Sequence, residues 1–187
     1  SDLSKMIYPN LDIKLKEDKN VPSDLEQFDI YDCLDEFQGE QKLEGANKWH
    51  CPKCNDFQEA KTRTEIFKAP KYLIFHINRF ETKSESSFFG AIRSEEKKKD
   101  NTYINFPLKN LDIRKYIKGF EDKNAIYNLY AILYHSGELT SGHYFACCKN
   151  LGKWVFYNDH VANDFPDETK LVNKLAYLLF YKKNKFD

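Results

Sequence analysis

Ser141-Gly-His143-Tyr-Phe-Ala-Cys-Cys148, a turn at Asn150 and Gly152, then Lys153-Trp-Val-Phe-Tyr-Asn158-Asp159: the fold is read from this stretch. Both runs are aromatic and apolar and are bounded by turn formers, so they read as two strands of an antiparallel hairpin. Such a hairpin brings the polar end of the second strand back beside the start of the first. His143 then has Asn158 or Asp159 as a neighbour, a base with a group able to orient it. Successive strand residues face opposite ways, so Trp154, Phe156 and Asn158 share one face while Val155, Tyr157 and Asp159 share the other. Spacing alone leaves open which of Asn158 and Asp159 meets the ring. Gly142 has no Cβ, so another stretch of backbone can approach just ahead of His143.

Working outward, Ala125 to His135 and Ala176 to Lys182 read as further strands, and Tyr103 to Pro107 as a short one. Leu111 to Ile117 reads as one or two helical turns and Glu168 to Leu175 as a helix. Upstream, Leu11, Ile13 and Leu15 alternate as in a strand. Apolar residues from Leu25 to Phe37 fit an amphipathic helix over Asp24 to Gln38, with Ser23 or Asp24 as its cap and Gly39 as its stop. Gln58 to Phe67 and Lys71 to Phe80 read as strands. The second is apolar on both faces, which predicts a central place in its sheet. Lys83 to Asp100 carries a dense run of charge and shows no sustained period, which predicts a mobile solvated loop, with Phe88 and Phe89 partly exposed. The class is α+β with a largely antiparallel sheet, one domain over residues 1–187.

Composition narrows the function. The 187 residues carry 29 basic and 29 acidic side chains, so no global charge attracts nucleic acid or an anionic membrane. Hydrophobic residues at 41% exclude whole-chain disorder. No apolar run approaches the roughly 20 residues of a membrane span, and the start lacks a signal-peptide pattern. Five cysteines, at 33, 51, 54, 147 and 148, make a poor disulfide framework. Reduced thiols in the cytoplasm or nucleus are expected. Cys51-Pro-Lys-Cys54 has metal-ligand spacing on a turn, but a structural zinc takes four ligands and this chain holds no second pair. The reading is a half-site or a vestigial knuckle.

These stretches together resemble the ubiquitin-specific protease catalytic domain. The landmarks run in order: Leu43-Glu-Gly-Ala-Asn-Lys-Trp-His-Cys-Pro-Lys-Cys54, Ala69-Pro-Lys-Tyr-Leu-Ile-Phe-His-Ile-Asn-Arg-Phe80, Phe106-Pro107, Leu111-Asp112, Tyr127-Asn-Leu-Tyr130, His135-Ser-Gly137, Ser141-Gly-His-Tyr144, Trp154-Val-Phe-Tyr-Asn-Asp159 and Ala176-Tyr-Leu-Leu-Phe-Tyr181. The resemblance implies a papain-like cysteine protease fold, of which this chain supplies fingers and palm. It implies His143 as general base, Asn158 as its orienter and Asp159 as a supporting polar group. No cofactor is needed for catalysis, and Cys51 and Cys54 would belong to an incomplete structural zinc site. The implied partners are ubiquitin and ubiquitinated proteins, with neither nucleic acid nor membrane.

One departure is large. The family's nucleophilic cysteine sits in an N-terminal thumb, and no stretch here matches its box. Thumb and first cysteine pair would both precede Ser1. The leading expectation is therefore a deubiquitinating thiol protease, cleaving after the ubiquitin C-terminal glycine, whose thumb is missing from this chain, leaving it inactive alone. The alternative is a catalytically inactive ubiquitin-binding scaffold.

Overall fold

The computed structural model describes residues 28–85, 94–119, 124–138 and 141–184. The expected strand at Leu11 to Leu15 and the aromatic pair Phe88-Phe89 lie outside the described residues.

The chain enters with strand β1 (Phe28–Asp29) and helix α1 (Ile30–Phe37). The cap is Asp29; Ser23 and Asp24, the caps expected from the sequence, lie outside the described residues. The Asp29 carboxylate accepts from Tyr31 N at 3.0 Å, and Asp32 accepts from Asp29 N at 2.7 Å, a reciprocal capping box. Phe28 and Asp29 are already committed to an extended parallel pairing with Ile104 and Asn105, so the helix begins only at Ile30. Ile30 and Leu34, one turn apart, are its buried residues.

Two small antiparallel sheets follow: β2 (Gln41–Leu43) pairs with β5 (Ala60–Thr62), and between them β3 (Trp49–Cys51) pairs with β4 (Asp56–Gln58). The strand expected to reach Phe67 stops at Thr62. Beyond it only an isolated bridge, Ile66 to Ile117, is formed. Then come β6 (Tyr72–His76), β7 (Phe80–Glu85), β8 (Ser94–Lys99), β9 (Ile104–Asn105) and β10 (Leu111–Asp112). The C-terminal half supplies β11 (Ile126–Gly137), β12 (Gly142–Asn150), β13 (Lys153–Asn158), β14 (Val161–Asp164) and β15 (Ala176–Lys183).

The main sheet runs β14-β13-β12-β11-β15-β6, with β10 added alongside β11. All its pairings are antiparallel. Its buried face carries Tyr127, Leu129, Ile132 and Tyr134 from β11, and Phe145 and Cys147 from β12. Trp154 and Phe156 of β13, with Leu179 and Tyr181 of β15, complete it. Along β11 the buried positions switch from odd to even numbers. A register shift against β15 between Leu129 and Ala131 accounts for that, since one extra residue turns the following side chains over. Ile30, Leu34, Ile113 and Tyr116 join the same core. Buried tyrosine hydroxyls tie loops onto it: Tyr127 donates to Pro70 O, Tyr134 to Leu171 O and Tyr181 to Pro107 O, at 2.7–2.8 Å.

Three expectations change. Strand β6 lies at the sheet's edge among the described residues, paired there with β15, and its second face leaves Tyr72 (49% exposed) and Ile74 (55%) half-open to solvent. Residues 83–100 are not a loop throughout: β7 and β8 form a hairpin whose register sets Glu81 opposite Lys98 and Lys83 opposite Glu96. Finally, the helix expected at Glu168 to Leu175 is a single 3₁₀ turn, Glu168–Lys170, with Asp167 as its cap. Asn173 ends it by bonding Lys170 O and Leu175 N with its own side chain.

His135 is buried at 2% exposure, in an aromatic nest of Phe80, Tyr144 and Tyr177 with ring separations of 5.2, 4.6 and 5.9 Å. Gly142 lies against this ring, so the group that needs the missing Cβ is a side chain rather than passing backbone. A Cβ there would overlap the imidazole, 2.5 Å from Cε1. Gly142→Ala should cost about 1–3 kcal/mol, read from urea midpoints, since the buried ring has no free direction in which to move. Burial, then the nearby Lys99 ammonium, hold the His135 imidazole below the ordinary histidine range. The unfolded chain therefore takes up this proton more readily. The stability tied to neutral His135 is complete above about pH 6.5 and is lost as pH falls below it. His135→Phe should flatten that part of the stability profile in parallel denaturant melts.

Candidate functional site

The site lies where β12 begins and β13 ends. In the ladder, Ala146 faces Tyr157 and Cys147 faces Phe156, so continuing the register sets Phe145 opposite Asn158. His143 is then Asn158's diagonal neighbour on the same face, within reach across an antiparallel pair. His143 Nε2 meets Asn158 Oδ1 at 2.5 Å. An amide oxygen only accepts, so Nε2 carries the proton and Nδ1 presents its lone pair. The His143 side chain is 50% exposed, so that lone pair can be reached.

Asp159 also turns toward the ring, with Oδ2 at 3.9 Å from Nε2. Strict alternation would forbid this. The strand ends at Asn158, and Asp159 has φ of 49°, in the left-handed region that Asp tolerates better than most residues. The backbone reversal brings two consecutive side chains to one imidazole, Asn158 in contact and Asp159 further off and 69% exposed.

None of the five cysteines suits a nucleophile for this base. Cys147 shares the face of His143 but lies four residues along β12, about 13 Å at strand rise. It is buried, and burial pushes its thiol up to about 12. Cys148 points to the opposite face and is likewise raised by burial. Cys33, on α1, is raised by burial and by Asp32 and Asp29.

Cys51 and Cys54 stand apart, at the turn between β3 and β4. The Cys51 thiol is lowered by backbone N–H groups of Cys54 and Lys53, and further by the Cys54 thiol. Asn55 closes the turn, donating to Cys51 O at 2.8 Å with φ of 55°. N–H groups aimed at sulfur favour thiolate and suit a metal knuckle. Among the described residues, no group of three or more His, Cys, Asp or Glu gathers to complete one. His50 instead packs its ring against Phe57, 5.3 Å away.

The sequence marks His135 only as part of the landmark His135-Ser-Gly137, and gives Lys99 no place in the site's surroundings. His135 carries a signal, a lone histidine in an otherwise apolar strand. Lys99, last of three consecutive lysines, carries none.

The chain is similar to known proteins along nearly its whole length. Residues 8–181 match the family model described as ubiquitin carboxyl-terminal hydrolase. Ubiquitin carboxyl-terminal hydrolase 9 of Arabidopsis thaliana is 34% identical over 161 residues, 84% of this chain and 16% of that protein. Ubiquitin carboxyl-terminal hydrolase 15 of Rattus norvegicus is 31% identical over 156 residues, 82% of this chain and 15% of its own length. The chain thus spans about a sixth of these curated relatives. Among solved structures, a yeast SAGA DUBm carrying an Sgf73 mutant superposes with a TM-score of 0.65 at 28% identity, covering 86% of this chain and 35% of that one. A SAGA DUB module bound to monoubiquitin gives 0.63 at 29% identity, with the same coverage. The α+β architecture is that of the papain-like ubiquitin-specific protease catalytic domain, and the chain belongs to the ubiquitin carboxyl-terminal hydrolase family.

Proposed function

We propose that this chain supplies the base and its orienter to a deubiquitinating thiol protease, the nucleophilic cysteine coming from a segment outside these 187 residues. The observation that carries the reading is the His143–Asn158 contact, with Nε2 engaged and Nδ1 turned outward on a half-exposed ring. In the reaction, Nδ1 accepts the proton of the attacking thiol. The thiolate adds to the carbonyl of ubiquitin's terminal glycine, the imidazolium returns its proton to the leaving amine, and a water activated by the freed Nδ1 then hydrolyses the acyl-enzyme and regenerates the thiol. Asn158 fixes tautomer and ring plane through both steps. Asp159, close to Nε2 without touching it, keeps a carboxylate beside the ring. Ubiquitin as the partner is supported by family membership and by the ubiquitin-bound relative.

Release of a fluorophore from the ubiquitin C-terminus tests this. The chain alone should give no turnover, and adding the parent's nucleophile-bearing segment should produce it. In that complement His143→Ala should abolish hydrolysis. Asn158→Ala should lower kcat on the order of 10²-fold, the worth of a well-placed base. Robust turnover by the chain alone, blocked by thiol alkylation, would overturn the reading. Ubiquitin binding with no turnover in the complement would instead establish the inactive scaffold.

Cys51 and Cys54 would hold a structural zinc as two of its four ligands, the others lying outside the described residues; the metal would tie the β3–β4 turn to its neighbouring chain. Cobalt titration of the purified chain should give the thiolate charge-transfer intensity of two sulfurs, and Cys51→Ser should halve it. A four-thiolate intensity would contradict the half-site.

A further inference from the structure

The last residues of β11 have a neighbour on only one side. Along β12 the ladder continues to Ser136 opposite His143 and Gly137 opposite Gly142. On the other side β15 starts at Ala176, which faces Tyr134, so beyond that point no strand among the described residues offers donors. The His135 N–H, on this side, donates to Leu175 O at 2.9 Å. The carbonyls of His135 and Gly137 remain, and a strand end with open carbonyls frays.

Lys99 fills the gap. Its ammonium donates to His135 O at 3.0 Å and to Gly137 O at 2.9 Å, bracketing Ser136, whose ladder partner is His143. Gly137 has φ of 100°, outside the strand region, so its own conformation does not hold the end straight. Lys99 itself is anchored, because the next residue is locked to Arg79. Asp100 N donates to Arg79 O at 2.7 Å, and the guanidinium donates to Asp100 O, Thr102 O and Ala176 O at 3.2, 2.9 and 2.7 Å. Arg79 is 1% exposed. A rigid path thus runs from the buried guanidinium through the end of β8 to the strand that carries the partner of His143.

We propose that Lys99 is a positioning residue for His143: its ammonium replaces the missing strand beside the end of β11, and so fixes the height and tilt at which the imidazole leaves β12. The catalytic consequence rests on the function proposed above, whereas the geometric one does not. A base displaced by an ångström loses much of its effect even when it still binds substrate.

The test compares Lys99→Met, which keeps the stem and removes the donors, with Lys99→Arg, which can still donate to two carbonyls. In the 187-residue chain, long-range ¹H–¹⁵N imidazole spectra should show His143 as the Nε2–H tautomer in wild type and Lys99→Arg. In Lys99→Met they should show a mixture of both tautomers. In the complemented enzyme Lys99→Met should lower kcat about tenfold with KM within about twofold, and Lys99→Arg should recover most of it. An unchanged tautomer in Lys99→Met overturns the inference whatever the activity. A tautomer shift with hydrolysis indifferent to His143→Ala keeps the brace and removes the proposed function. Should Lys99→Met fail to fold, wild type decides: a slowly exchanging Lys99 ammonium resonance at low temperature supports the brace, and one exchanging like the surface lysines overturns it.

Discussion

Strand β11 is paired with β15 from Tyr127 to Tyr134 and with β12 from Ala131 to Gly137, and the rest of the molecule hangs from that strand. One edge carries β12, β13 and β14 in sequence order, a plain meander; the other carries β15 and β6, which arrive from opposite ends of the chain. Because β11 is buried on one face and paired on both sides, its register has little freedom to slip without moving a whole apolar row into water. His143 inherits that rigidity at one remove. It faces Ser136, only a few residues from Tyr134, whose ring stacks on Phe145 at 5.1 Å and whose hydroxyl is tied to Leu171. The imidazole is thus exposed while its support is not, as a reactive group on a fixed mount requires.

The cations near the site are spent in an unusual way. Arg79 is almost wholly buried and gives three of its hydrogen bonds to backbone carbonyls, with burial lowering its pKa and the charge of Asp100 opposing that. Lys99 likewise serves carbonyls. A guanidinium among peptide oxygens is less costly than a naked buried ion, and its directional donors organise chain ends that no ladder reaches. Equal numbers of acidic and basic residues in the sequence conceal this local use of charge.

Much of this was legible in the residues and some was not. The hairpin from Gly142 to Asn158 could be read because aromatic strands and glycine turns leave few other arrangements, and the face shared by Trp154, Phe156 and Asn158 is the one that meets His143. Whether Asp159 also faced the ring could not be read, because alternation holds only while the strand lasts and the reversal at Asp159 is a tertiary outcome. The edge position of β6 was hidden by its composition: Tyr72 and Ile74 look like core residues, yet an edge strand tolerates exposed aromatic and branched side chains. The β7–β8 hairpin escaped because the usual signal, alternating apolar residues, is absent there.

The left-handed turn at Asp159 also restricts what can stand there, before any chemistry is considered. Most L-residues pay about 1–2 kcal/mol to adopt that conformation, whereas glycine, asparagine and aspartate adopt it routinely. The backbone therefore favours glycine, asparagine and aspartate at this position, and of those only aspartate brings a negative charge to within 4 Å of the imidazole. Exchanging the order of the two residues would not be neutral bookkeeping of the same groups. Asparagine would inherit the turn and aspartate the strand end, placing a full charge in contact with the ring and a neutral amide at a distance. The order Asn-Asp thus encodes a strong tether followed by a weak field, and that grammar is written by the chain's hand rather than by the reaction it serves.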